Sequence, residues 1–189
     1  MNNQLLLEEL DGVIKYQLDY ILTPSINHAL LSELNAWRSL LYRLGLIGQD
    51  SERYGGLAYG NISLRQNQSA FLISGTQTGS FPALGAEHYC LVKDYDLAKN
   101  LLIAEGPIKP SSEALTHAAV YQADPQVNCV LHVHSPELWN RAEHLAIPMT
   151  RTSVSYGTPA MAEQVQQLLH VSRSPLIAMG GHRDGLVAV

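Results

Sequence analysis

Apolar residues recur at three- and four-residue intervals through LLLEELDGVIKYQLDYIL (5–22), with Gly12 as an interruption. This spacing predicts a helix that stops at Thr23-Pro24. Residues 1–24 are therefore expected to form a helical extension, either an appendage or an oligomer contact, ahead of a domain running from 25 to 189. A stronger helix starts after Pro24-Ser25 in INHALLSELNAWRSLLYRLGL, and Gly45 and Gly48 end it. The pattern then changes. Glycines crowd RYGGLAYGNISLR (53–65), and short alternating runs follow in AYGNISLR and SAFLISGT, with a turn at GTQTGS (75–80). HYCLVKDYD and AKNLLIAEG predict a further hairpin.

Pro110-Ser111-Ser112-Glu113 opens the next predicted helix, SEALTHAAVYQA. Ser111 or Ser112 suits its N-cap, and Glu113 falls in the first turn, where the helix dipole favours a carboxylate. NCVLHVH reads as a strand and Pro136-Glu137 as the start of a short helix. TPAMAEQVQQLLHVS (158–172) has helical spacing, and SPLIAMGGHRDGLVAV gives two β-rich runs around GGHRDG. Strands and helices mix without strict βαβ alternation, so the expected fold class is α/β, with helices on a largely antiparallel sheet.

Composition narrows the range of functions. The chain has 189 residues, 46% of them hydrophobic, enough for one domain with its own core. Its formal charge of −5 disfavours a nucleic-acid binder that relies on phosphate contacts. No stretch approaches the roughly 20 apolar residues of a membrane span. The N-terminus lacks the basic region and cleavage site of a signal peptide. The two cysteines, Cys90 and Cys129, form no CxxC pair and read as reduced thiols. A cytoplasmic protein without nucleic-acid or membrane partners is expected.

The candidate chemistry centres on VLHVHSP (130–136). Side chains alternate along a strand, so His132 and His134 share a face, about 7 Å apart along the backbone. Such a pair can be two hydrogen-bonded structural imidazoles or two ligands of one ion. With His182 from GGHRDG it would make a three-nitrogen site with an open position, the arrangement of catalytic zinc. Glu113 reads either as a helix-end carboxylate or as a group moving a proton beside a polarised carbonyl. Three small-residue turns, GN in YGNIS, TG in TQTGS and SS in KPSSE, offer backbone N–H groups that can cradle a phosphate.

Taken in order, GNIS (60–63), GTQTG (75–79), PSSE (110–113) with AAVY (118–121), and VLHVHSP resemble the motif series of the class II aldolase/adducin family. The alignable region runs from about Ala29 to Val189. The resemblance implies a three-layer αβα sandwich, a cyclic homotetramer, and Zn2+ or another divalent transition metal between subunits. It makes His132, His134 and His182 the metal ligands and Glu113 the acid/base. Gly60, Asn61, Thr78, Gly79, Ser111 and Ser112 become the phosphate-holding positions. The implied activity is lysis of a small sugar phosphate, with retro-aldol cleavage through a stabilised enediolate foremost. Epimerisation and dehydration run on the same parts, and an adducin-like interaction module without catalysis is the rival from another class. Three features depart from the family pattern. Arg183 and Asp184 separate His182 from Gly185, where the usual motif has glycine directly after histidine. The segment between Pro148 and Thr158 is short, and no residue in it, Tyr156 included, matches the family's catalytic tyrosine. The family's C-terminal helices have no counterpart before Val189: either the protein lacks them or the N-terminal extension compensates.

Overall fold

The structure is a computed structural model that describes residues 13–25, 29 and 31–189. In chain order its strands are β1 (Gln17–Leu22), β2 (Gly48–Gln49), β3 (Ala58–Tyr59), β4 (Asn61–Arg65), β5 (Phe71–Ser74), β6 (Tyr89–Asp96), β7 (Leu101–Gly106), β8 (Cys129–His134), β9 (Leu176–Ala178) and β10 (Gly185–Ala188). Its α-helices are α1 (Leu31–Arg43), α2 (Ala114–Ala123), α3 (Pro136–Asn140) and α4 (Pro159–Ser172). Eight strands form one sheet in the order β1-β7-β6-β5-β4-β8-β10-β9. Every pairing is antiparallel except β1 with β7. A separate two-stranded ladder joins β2 to β3.

Period-two alternation explains the three layers. On β8, Val130 joins a core formed with Phe71, Ile73, Leu115, Met161 and Val165, beneath α2 and α4. Val133 points the other way, into a cluster with Leu41 of α1, Leu186 and Trp139 of α3. Leu31 and Leu34 of α1 cover Ile62, Leu72 and Tyr89 on that same face. Helix α2 is buried continuously from Ala114 to Tyr121, between the sheet and α4. The alanines of this buried stretch, at 114, 118 and 119, suit an element crowded on several sides. This is the αβα sandwich on a mostly antiparallel sheet that the sequence pattern and the family resemblance predict.

The structure differs at two elements. Residues 17–22 form a strand rather than the end of a helix, pairing in parallel from Gln17 with Leu101 to Leu22 with Gly106. YQLDYIL satisfies both periods: Leu18 and Tyr20 alternate inward onto the core, and the open edge of β7 supplies the hydrogen bonds. Residues 13–16 of the expected helix are not helical either, and 5–12 lie outside the described residues, as do 26–28 and 30 near the start of α1. The second difference is at α2. Glu113, not a serine, stands at the N-cap position, and its side chain makes no cap hydrogen bond. Ser111 shapes the preceding turn instead, its hydroxyl accepting from Glu113 N–H at 3.3 Å and its carbonyl from Ala114 N–H at 3.0 Å.

Candidate metal and anion site

His132 and His134 project from β8 on the face beneath α2, as their spacing predicts. His182 reaches them from the loop between β9 and β10, and the three rings offer ligand atoms within 4.8 Å of one another. His132 Nε2 lies 3.1 Å from His134 Nε2 and 3.2 Å from His182 Nε2. A tetrahedral ion with metal–nitrogen bonds of about 2.0–2.1 Å needs ligand nitrogens roughly 3.3 Å apart, so the spacing fits. The tautomer fits as well. His132 Nδ1 sits 3.1 Å from the Leu186 carbonyl, which can only accept; Nδ1 therefore carries the proton and Nε2 presents its lone pair to the centre. All three rings are buried. Burial pushes His132 down to about 4 and holds His134 and His182 well below the ordinary histidine value, so all three are neutral near pH 7.

The two residues inserted after His182 form the tip of a tight turn, closed by Gly185 N–H donating to the His182 carbonyl at 2.9 Å. They leave His182 in place among the three nitrogens. The turn requires glycine at 185, because a Cβ there would stand 2.4 Å from His182 Cδ2.

One cavity gathers the remaining sequence-derived positions. Gly60, Asn61, Thr78, Gly79, Ser111, Ser112, Glu113 and His132 all line it, and its enclosed part, about 20 Å³, holds one water-sized body. Asn61 pairs with His132 across β4 and β8, which joins the first small-residue turn to the histidine face. Asn61 Oδ1 is buried without a hydrogen-bond partner. The Thr78 hydroxyl donates to the Gly75 carbonyl at 2.8 Å and shapes the second turn. At Gly79 a Cβ would come within 2.4 Å of the Gly48 carbonyl, so the turn packs closer than any side chain permits. Glu113 stands outside the three-nitrogen cluster but shares the cavity with His132, and Thr116 Oγ1 donates to its Oε2 at 2.8 Å.

Residues 50–182 match the family model described as class II aldolase and adducin N-terminal domain. The chain belongs to that family. Methylthioribulose-1-phosphate dehydratase of Xanthomonas euvesicatoria pv. vesicatoria is 34% identical over 73 residues, which is 39% of this chain and 30% of that protein. The 3-oxo-tetronate 4-phosphate decarboxylase of Haemophilus influenzae is 37% identical over 79 residues, 42% of this chain and 34% of that protein. The chain thus spans about a third of the length of these curated relatives. Among solved structures, an L-fuculose 1-phosphate aldolase superposes with a TM-score of 0.63 at 18% identity, covering 87% of this chain and 76% of that one. YgbL from Klebsiella pneumoniae superposes with a TM-score of 0.57 at 21% identity, covering 85% and 78%. At these identities the likeness is one of fold.

Several groups around this class II aldolase-type site have no sequence signature. Arg38 of α1 is buried and donates to the carbonyls of Thr78 (2.9 Å), Gly79 (3.0 Å) and Phe81, bracing the second turn from behind. Tyr16 donates to the Ser111 carbonyl at 2.8 Å, tying the segment before β1 to the third turn. Lys15 Nζ lies 3.7 Å over the ring of Tyr156, which packs 4.5 Å from the His182 ring. The Tyr54 ring packs edge-on to His134 with centroids 4.5 Å apart. His117 belongs to the core, with Ser63 Oγ 2.7 Å from both its Nδ1 and the Tyr121 hydroxyl. A buried arginine in an otherwise amphipathic helix was the one available signal, and it reads as a solvent-facing residue until the turn it braces is seen. Among the described residues no helix is long and apolar enough to cross a membrane.

Proposed function

We propose that this protein is a metal-dependent lyase of a small phosphorylated sugar. The observation that carries this reading is the single cavity in which His132, Glu113 and all three small-residue turns meet. His132, His134 and His182 would hold a divalent ion of the zinc type, which supplies Lewis-acid polarisation of a substrate carbonyl. The hydrogen bond from His132 Nδ1 to the Leu186 carbonyl keeps that ring in its ligating tautomer. Asn61, Thr78, Gly79, Ser111 and Ser112, with Gly60 completing the first turn, hold the phosphate. Glu113, oriented by Thr116, moves the proton at the carbon next to the carbonyl. Burial of the three imidazoles keeps bulk water from competing for the site.

Retro-aldol cleavage of a C–C bond is the reaction this arrangement serves most directly. Dehydration is the second reading, favoured by the identity with methylthioribulose-1-phosphate dehydratase. Cytoplasmic residence and a homotetramer are part of the proposal; Trp37, Leu40 and Leu44 form an exposed apolar stripe at helical spacing along and just beyond α1, and support self-association. Light scattering should give four times the mass of the chain. The decisive experiment incubates zinc-loaded protein with L-fuculose 1-phosphate, methylthioribulose 1-phosphate and 3-oxo-tetronate 4-phosphate, with Glu113→Gln as control. Turnover of at least one, lost in the variant, is expected. Metal-loaded protein that neither turns over nor saturably binds any phosphate ester would overturn the enzyme reading in favour of an interaction module.

A further inference from the structure

Arg183 and Asp184, the two residues that separate this chain from the family's His-Gly pattern, lead to a contact on the far side of the metal cluster. Asp184 is almost fully buried, and its Oδ2 accepts from the Tyr54 hydroxyl at 2.9 Å, across 130 positions of sequence. Arg53 Nη2 donates to the same hydroxyl and lies 3.9 Å from Asp184 Oδ2. The ring this network holds is the one packed edge-on to His134 at 4.5 Å, with an interplanar angle of 71°. Tyr59 completes a three-ring cluster, 5.1 Å from Tyr54 and 5.3 Å from His134.

Both ends of the contact carry unusual backbone. Tyr54 has φ of 50° and Asp184 of 63°, the left-handed region that L residues other than asparagine and aspartate rarely adopt. For a tyrosine this conformation is strained and persists only where surrounding contacts over-determine it. The Asp184 backbone is fixed too, its carbonyl accepting from Ser135 N–H at 2.9 Å, one residue beyond His134. Gly185, which follows, is the cross-strand partner of His134. The turn that delivers His182 thus also delivers the carboxylate that fixes the packing partner of His134.

We propose that Tyr54 and Asp184 are positioning residues that clamp the His134 imidazole in its ligating orientation. The proposal rests on the reading of the three histidines as a metal site. Neither residue touches the three-nitrogen centre. Tyr54 restricts rotation of the His134 ring through its edge-to-face contact, and Asp184, with Arg53, prevents Tyr54 from swinging away. The two residues between His182 and Gly185 therefore make a turn that supports two ligands at once.

The test uses Tyr54→Phe, Asp184→Ala, which removes the acceptor, and the double variant, with His132→Ala as the metal-null control. Zn(II) affinity is read by chelator competition and the site's geometry by the Co(II) visible spectrum. Each single variant should bind zinc about 10–100-fold more weakly, the range found when groups that orient metal ligands are removed. The double variant should be no weaker than the worse single one, because both remove the same hydrogen bond. Wild-type affinity and an unchanged Co(II) spectrum in both single variants, even with a lowered Tm, would overturn the proposal. In metal-free protein the His134 ring resonances should be sharp in wild type and shifted or broadened in both variants; identical resonances would also overturn it. If wild type binds neither ion, the metal reading falls, and the resonance comparison alone decides the clamp.

Discussion

Replacing Gly185 by alanine tests the proposed third ligand, His182, without substituting it. The new Cβ would lie 2.4 Å from His182 Cδ2 and 3.1 Å from both Cγ and the His182 carbonyl oxygen, whereas ordinary contact starts at 3.4 Å. The ring must retreat by about 1 Å, against a tolerance of roughly 0.2 Å in metal–ligand distances. The turn cannot open freely, because Gly185 N–H bonds the His182 carbonyl and Gly185 pairs with His134. Overpacking of this kind costs typically 1–3 kcal/mol, so the variant should still fold. Its zinc affinity should fall about 100-fold or more, beyond the effect of removing a supporting group and toward that of His182→Ala. Chelator competition measures the affinity, and circular dichroism melting reports the fold. A folded Gly185→Ala protein that binds zinc as tightly as wild type would show that His182 is not held as a ligand by this turn.

Three further outcomes follow from the same geometry. Arg38→Met removes a buried charged donor from three carbonyls and should cost about 2–4 kcal/mol in denaturant unfolding while weakening phosphate-ester binding; a loss under about 0.5 kcal/mol would contradict the bracing role. In metal-stripped protein, the unfolded state takes up protons below the ordinary histidine value of 6.5, while His132 resists them until about 4. Stability is therefore full above pH 6.5 and lost as pH falls, by about 2 kcal/mol from His132 alone at pH 5, with His134 and His182 adding in the same direction; denaturation midpoints that stay flat from pH 7 to 4.5 would refute this. Burial pushes the Cys90 thiol up to about 12 and the Cys129 thiol to about 11, so both should ignore a thiol-specific disulfide reagent at pH 8 until denaturant is added, and a fast stoichiometric reaction in native protein would contradict their placement.

What could be read from sequence was whatever local periodicity or turn chemistry dictates. Strand alternation put His132 and His134 on one face, and glycine, serine and threonine turns marked the residues that the fold collects in one cavity. Periodicity misled at YQLDYIL, where helix and strand patterns coincide and only the open edge of β7 decides between them. The role of Glu113 was equally undecided: a carboxylate before a helix looks like a cap until the neighbouring serine is seen shaping the turn and Thr116 is seen holding the side chain. Tyr54 and Arg38 were invisible for another reason. Their partners, Asp184 and the turn at 78–81, lie far along the chain, and no spacing rule reports a contact that only the completed sheet creates.

Strand β1 also sets an order of events during synthesis. Its partner is β7, so Gln17 must wait for Leu101, 84 positions later. At about 5–20 residues per second, that wait is on the order of 4–17 seconds. Tyr16 waits longer still, for a Ser111 carbonyl 95 positions away, and until it arrives the turn before α2 lacks its brace. Strand β1 and Tyr16 thus dock well after they are made, and the Ser111 end of the cavity takes its final shape only when they do.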